Sequence, residues 1–207
     1  MRSTRYLQQR IRDMKKQAKK KDDGTIFNPV MFLVILILTA QLLMLFVEYK
    51  RVAWVSGAVT DTMTDALLGA CILNEEELYH YGKTGELEIL YPKEKYDLFR
   101  SLLREELGLS EDMQVTDKST ALLADKVTIK DFKVYSVREN DITIYDFDQT
   151  AGYISVPMEN RAGSYDAGNG EVIEKAALLA EIEFTIEFMG FPVKVNKYHM
   201  VDMTNGE

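Results

Sequence analysis

The sequence predicts an α+β protein with a long N-terminal helix that crosses a membrane, continues as a stalk and packs against a small antiparallel β-sheet head. Three observations support this prediction. Residues 24–47 carry no charge, residues 52–70 carry an apolar stripe at helical spacing, and residues 180–188 alternate between apolar and polar side chains. The 207 residues then divide into a basic arm (1–24), a transmembrane helix (25–47), an amphipathic stalk helix (48–74) and an α+β head (75–207).

The charge-free run is long enough to span a bilayer. A helix rises about 1.5 Å per residue, so roughly 20 apolar residues match a hydrocarbon core of about 30 Å. A cleaved signal peptide has a shorter apolar region, about 7–15 residues, followed closely by small residues at the cleavage site. Here the first such small residues, at 56–58, lie well beyond the run. We therefore expect a retained anchor in the lipid bilayer.

The charges on either side of this run differ strongly. Residues 1–24 hold nine basic and three acidic side chains, a net charge of +6, while the whole chain carries −8. Residues 25–207 therefore carry −14. Lys and Arg next to a membrane span stay on the cytoplasmic side, which predicts a cell-membrane protein with a cytoplasmic N-terminus and an extracytoplasmic C-terminal domain. The arm either binds anionic headgroups or serves only as this orientation signal, and we expect no nucleic-acid partner.

The stalk carries its apolar residues on one helical face. Their spacings of three and four predict one continuous helix over Pro29–Asn74. Its stripe requires a protein partner, either residues 75–207 of the same chain, which we favour, or a neighbouring subunit. The predicted interaction face consists of Val52, Val55, Val59, Met63, Ala66 and Ala70.

Thr39 and Gln41 are polar side chains in the middle and outer parts of the predicted span, and Asn28 lies at its start. Thr39 either hydrogen-bonds to a partner on another helix or bonds back to its own helix. Gln41 is either tolerated near the outer third of the bilayer or hydrogen-bonds to another membrane helix, a contact worth roughly 0.6–2 kcal/mol. The adjacent Ala40 allows close approach of such a helix.

The head begins with a helix and continues with strands. A helix over Glu94–Leu107 is expected to stop at Gly108, and a phase change near Asp131 indicates a β-bulge. Residues 138–141 form a turn, and residues 159–171 have the composition of a loop. The predicted strands are Lys126–Val137, Ile142–Phe147, Gly152–Val156, Ala180–Phe188 and Val193–Met200.

Residues that could support catalysis or metal binding are sparse. His80 and His199 lack the spacing of metal ligands or catalytic triads, and Cys71 is the only cysteine. Glu75–Glu77 and Glu105-Glu106 are interpreted as solvated helix surface or as first-turn charges. Several residues in or near polar loops could supply oxygen ligands to a hard cation such as Ca²⁺, but their spacing does not match that of an EF-hand. They are Asp146, Asp148, Asp166, Asn169 and Glu171. We predict no enzymatic activity and no cofactor.

A resemblance to a known family rests on two stretches of the chain. They are Phe46–Arg51 and Val59–Ala70, the second of which contains Asp61 and Asp65. In these stretches the chain resembles the TadE/TadG-like minor pilins of tight-adherence pili, which are type IV pilin-like. The resemblance implies a single-pass structural or assembly protein whose partners are other pilin-like subunits or pilus assembly proteins. The alternative is a membrane-tethered extracytoplasmic binding module with no role in a pilus.

One feature departs from the pilin pattern. Pilin precursors are cut after a glycine that precedes the apolar run, and glutamate then occupies the fifth mature position. Gly24 is the candidate leader cleavage site here, but the fifth residue after it is Pro29.

Overall fold

The computed structural model describes residues 2–85, 87–116, 123–148, 152–159, 161–168 and 170–203. The chain forms two compact units, Met1–Lys50 and Arg51–Glu207. Helix α1 (Arg2–Ala70) contributes to both units, so its residues from Arg51 onward belong with the sheet. The compact unit that contains the sheet therefore includes the predicted stalk from Arg51 onward, and this segment supplies part of its core.

The first unit consists of the N-terminal part of α1. The helix includes the basic arm and does not begin at Pro29, which lies inside it. The arm is rich in Arg, Lys and Gln, which are good helix formers. Proline in a helix interior removes one backbone hydrogen bond, and here the helix continues through it. Gly24, the candidate cleavage site, lies within this helix.

The second unit combines the end of α1 with two further helices and an antiparallel sheet. The helices are α2 (Glu75–Thr84) and α3 (Pro92–Glu106). Five strands form one sheet in the order β3-β2-β1-β6-β7, and β4 pairs with β5 in a separate ladder. The strands are β1 (Thr128–Arg138), β2 (Asp141–Asp148), β3 (Gly152–Met158), β4 (Tyr165–Asp166), β5 (Val172–Ile173), β6 (Ala177–Phe188) and β7 (Phe191–Asp202).

The main hydrophobic core joins the end of α1 to one face of this sheet. Alternate residues of β6 point into it, as the strict alternation predicts. Helix α3 adds Phe99, whose ring centroid lies 5.2 Å from that of Phe132 on β1. The buried members from these elements include Val59, Met63, Leu67, Leu103, Val134, Ile182, Phe184 and Ile186.

Most predicted elements of the head are confirmed within a few residues. Helix α3 begins two residues early, and Gly108 after it has the positive φ of 63° expected of a stop signal. The register of β1 against β6 shifts between Ile129 and Asp131, which confirms the bulge. The predicted loop over 159–171 contains the two-residue strand β4, and its Asn160 and Asn169 lie outside the described residues.

Helix α2 was not predicted as a separate element, and it explains why α1 ends at Ala70 and not at Asn74. The Asn74 side chain accepts a hydrogen bond from the Glu77 amide, while the Glu77 side chain accepts one from the Asn74 amide. This capping box starts a new helix and so ends the old one before it.

Of the two interpretations of Glu75–Glu77, the first-turn one holds, since all three acids lie in the first turn of α2. Glu77 is buried there and is not solvated. Its carboxylate lies 2.7 Å from Lys95 Nζ, and it also accepts hydrogen bonds from the amides of Leu90 and Tyr91. Lys95 Nζ in turn donates to the Ile72 carbonyl at 2.7 Å. Burial of this pair is tolerated because both charges are hydrogen-bonded, and the pair ties α2 to α3.

Candidate functional site on helix α1

The apolar run of α1 is uncovered by the rest of the described structure. Among the described residues, α1 is the one helix that is long and apolar enough to cross a membrane. Its most apolar window has a mean hydropathy of 2.9, and no residue of that window is buried. Large side chains between Val30 and Val47 are 42% to 67% exposed. A contiguous surface of this kind requires lipid or another protein as its cover.

The polar side chains of Thr39 and Gln41 differ in their surroundings. Thr39 Oγ1 donates to the Ile35 carbonyl at 2.8 Å, so of its two alternatives the structure shows the bond back to its own helix. Gln41 is exposed. In a bilayer its amide would face lipid or a second helix, so it is the residue of the run best suited to a polar helix contact.

Aromatic and basic residues mark the end of the run. Lys50 Nζ lies 5.5 Å from the ring centroid of Phe46, within cation–π range, and Tyr49 is 62% exposed. In the second unit, Trp54 is 63% exposed. Trp and Tyr concentrate where membrane meets water, because their rings are apolar and their tips are polar.

The predicted interaction face of the stalk is buried against the same chain. Val55, Val59, Met63, Ala66 and Ala70 are at most 4% exposed and belong to the core that the sheet shares, with Val52 partly buried beside it. The sequence allows either the chain's own head or a neighbouring subunit to pack on this face. The structure shows the chain's own head there. These side chains are not available to a neighbouring subunit while the head is folded.

A contact that the sequence did not predict fixes the start of this buried segment. Arg51 Nη2 donates to the Glu187 carbonyl at 2.6 Å, which joins α1 to the C-terminal end of β6. The two residues are 136 positions apart. No local pattern can reveal such a contact, since it depends on the sheet having formed.

Cys71, His80 and Asp166 also have side chains capable of chemistry, and the structure defines their surroundings. Burial raises the pKa of the Cys71 thiol to about 11, so it is protonated at neutral pH and is a poor nucleophile. His80 Nε2 lies 3.6 Å from a Glu88 carboxylate oxygen. Asp166 Oδ1 accepts hydrogen bonds from the amides of Gly168 and Gly170, which accounts for this loop acid by turn formation.

No group of three or more His, Cys, Asp or Glu side chains in the described ranges is arranged to hold a metal ion. Of the calcium candidates, Asn169 lies outside those ranges. Asp146 lies on β2 opposite Lys133 of β1. The described residues thus supply no assembled metal site.

The other face of the sheet contains a smaller buried cluster with two phenols. The hydroxyl oxygens of Tyr135 and Tyr198 are buried with no hydrogen-bond partner among the described residues. Burial is the main cause that raises the pKa of both phenols, to about 12 for Tyr198. Both phenols are therefore neutral near pH 7 and can hydrogen-bond to water or to a ligand.

The fold and this helix define a class: an α+β protein with one N-terminal helix capable of spanning a membrane. Comparison with protein families, curated proteins and solved structures finds no match to the chain.

Proposed function

We propose that the chain is a single-pass, membrane-anchored, pilin-like structural or assembly protein of a tight-adherence-type pilus or a related surface apparatus. One observation carries the proposal: a single helix is apolar and uncovered at 30–47, yet its later residues are buried along an antiparallel sheet. A membrane anchor that is continuous with the core of a β-rich head is the arrangement expected of a pilin-like subunit.

The charge distribution supports an orientation for this subunit. Nine basic residues precede the run, and residues 25–207 carry a net charge of −14. With the arm in the cytoplasm, the acidic head lies outside the membrane. A protease added outside intact cells should then remove the head and leave the arm, whereas loss of the arm would contradict this topology.

Subunits would contact one another through the apolar run, since the stalk stripe is already covered. Helices in membranes associate by close packing and by hydrogen bonds between polar side chains. Gln41 supplies a polar side chain, and the adjacent small residue Ala40 allows the close approach of a second helix. The head would remain free to decorate the apparatus or to cap it.

Disulfide crosslinking in native membranes tests this contact. In a Cys71→Ala background, Gln41→Cys should form a crosslinked dimer efficiently under mild oxidation. Leu43→Cys is the matched control, because it lies about 200° around the helix from position 41. Equal crosslinking at both positions, or none at either, would contradict a defined helix–helix interface.

The second candidate is a membrane-tethered extracytoplasmic binding module. It is favoured by the strongly acidic head, which would attract a basic ligand or partner. A chain that remains monomeric in membranes, and whose head captures a basic partner without other pilus components, would support this candidate over the first.

A further inference from the structure

The hairpin that joins β6 to β7 ends in an exposed apolar tip. Phe188 pairs with Phe191, so Met189 and Gly190 form a two-residue turn. Phe191 is 72% exposed, and Met189 and Val193 are about 40% exposed. We call Met189, Phe191 and Val193 the hairpin tip.

Met189 is an unusual residue type for its backbone conformation in this turn. Met189 has a φ of 52° and Gly190 a φ of 79°. Hairpin turns with positive φ at both positions strongly prefer Asn, Asp or Gly. The other two-residue turn in the sheet, between β1 and β2, uses the polar pair Glu139 and Asn140. A methionine at such a turn suits apolar surroundings better than water.

The pairing register shows which way this apolar surface faces. Directly opposite residues of antiparallel strands point to the same side of the sheet. Ile186 pairs with Val193, and Phe188 pairs with Phe191. Because Ile186 is buried in the core with Val55 of α1, the hairpin tip continues the core-facing side of the sheet beyond the end of the core.

The chain connection limits how far this hairpin can lie from the end of the apolar run. The Glu187 carbonyl, one residue before the closing Phe188 pair, accepts a hydrogen bond from Arg51 at 2.6 Å. Arg51 is only four residues beyond Val47, the last residue of the charge-free run. Even a fully extended chain covers no more than about 14 Å in four residues. The hydrogen-bonded end of the hairpin is therefore held near the bilayer surface.

We propose that the hairpin tip inserts into the headgroup and upper acyl region of the same membrane that the apolar run spans. The inference rests on the proposed membrane anchor. Lipid is the occupant, because the covalent tether brings the tip to the membrane in every copy of the chain, whereas a protein partner would have to be supplied. Insertion gives the head a second attachment and fixes its orientation on the membrane.

Tryptophan fluorescence in vesicles tests the insertion. Trp54 is the only tryptophan, so Trp54→Phe provides a silent background in the full chain. The test variant adds Phe191→Trp, and the matched control adds Ile72→Trp at a side chain that is 69% exposed. The control position lies beyond the 20 helical residues from Arg51 to Ala70, which extend about 30 Å. Vesicles contain phosphatidylcholine and phosphatidylglycerol, with bromine on acyl carbons near the headgroup.

We expect the emission of the Phe191→Trp variant to be blue-shifted and quenched several-fold more strongly by the brominated lipid than that of the Ile72→Trp variant. Equal, weak quenching of the two variants would overturn the inference, as would a blue shift without quenching, which indicates cover by protein. Flotation of the same samples separates the two proposals. A Phe191→Trp chain that floats with unquenched emission overturns only the hairpin insertion, whereas a chain that does not float overturns the anchor and the insertion together.

Discussion

A soluble fragment that starts at Glu75 should fail to fold, whereas one that starts at Arg51 should unfold cooperatively. The shorter fragment lacks the segment of α1 that is buried in the head. Four large apolar side chains are lost with it, and each is at most 4% exposed: Val55, Val59, Met63 and Leu67.

The expected loss in the free energy of unfolding follows from the burial of these four side chains. Burying one large aliphatic side chain stabilises a protein by about 1.5–3 kcal/mol, so four contribute roughly 6–12 kcal/mol. Single domains have a total free energy of unfolding of about 5–15 kcal/mol. The loss therefore removes most or all of the stability of the head. It also exposes the sheet face around Ile182 and Phe184, which favours aggregation.

Urea unfolding followed by circular dichroism measures this difference. In the longer fragment, Met63→Ala should lower the free energy of unfolding by about 2–5 kcal/mol. Leu68→Ala is the control on the same helix, since Leu68 is 50% exposed, and it should change stability by no more than about 0.5 kcal/mol. A fragment from Glu75 with the same cooperative midpoint as the longer one would refute the argument.

Three further predictions concern individual residues. Lys95→Met should cost about 3–5 kcal/mol in urea unfolding, because the Glu77 carboxylate stays buried without its cation; a loss below about 1 kcal/mol, on the order of a surface pair, would contradict this. Gly57→Ala should raise stability by about 0.5–1 kcal/mol, since its surroundings are open, whereas Gly69→Ala should not, because its Cβ would lie 2.5 Å from a leucine methyl of α3. The thiol of Cys71 should react slowly with maleimide near neutral pH. Because its folded pKa is raised, its contribution to stability is complete below the ordinary value of 9.0 and is lost as the pH passes about 11; a Cys71→Ser variant with an unchanged alkaline unfolding profile would argue against this.

Local patterns account for the parts of the fold that could be predicted. The alternation of β6 and the bulge near Asp131 depend on residues close together in sequence, so composition and period reveal them. Burial of Glu77 could not be predicted, because a charged residue is buried only where a distant partner such as Lys95 meets it. Helix α2 was missed for a related reason, since its start depends on a capping box within a stretch that otherwise continues the helical pattern.

The candidate site was predictable in position but not in contacts. The spacing of the stripe identified Val59 and Met63 as residues that need cover, yet the sequence left open whether that cover is the head or another subunit. The Arg51 contact with Glu187 and the apolar hairpin tip both require the sheet register, which no single segment specifies.

Burial of the stripe limits how copies of this chain could associate. The outer face of the same helix segment presents Trp54 and Leu68, but the exposed acids Asp61 and Asp65 lie between them. Pairing two such faces would bring like charges together, which opposes association most strongly at low salt. The charge-free run has no such penalty, so assembly should depend on its side chains and be nearly independent of salt. Steep salt dependence of the Gln41→Cys crosslink would instead indicate that charged parts of the chain control association.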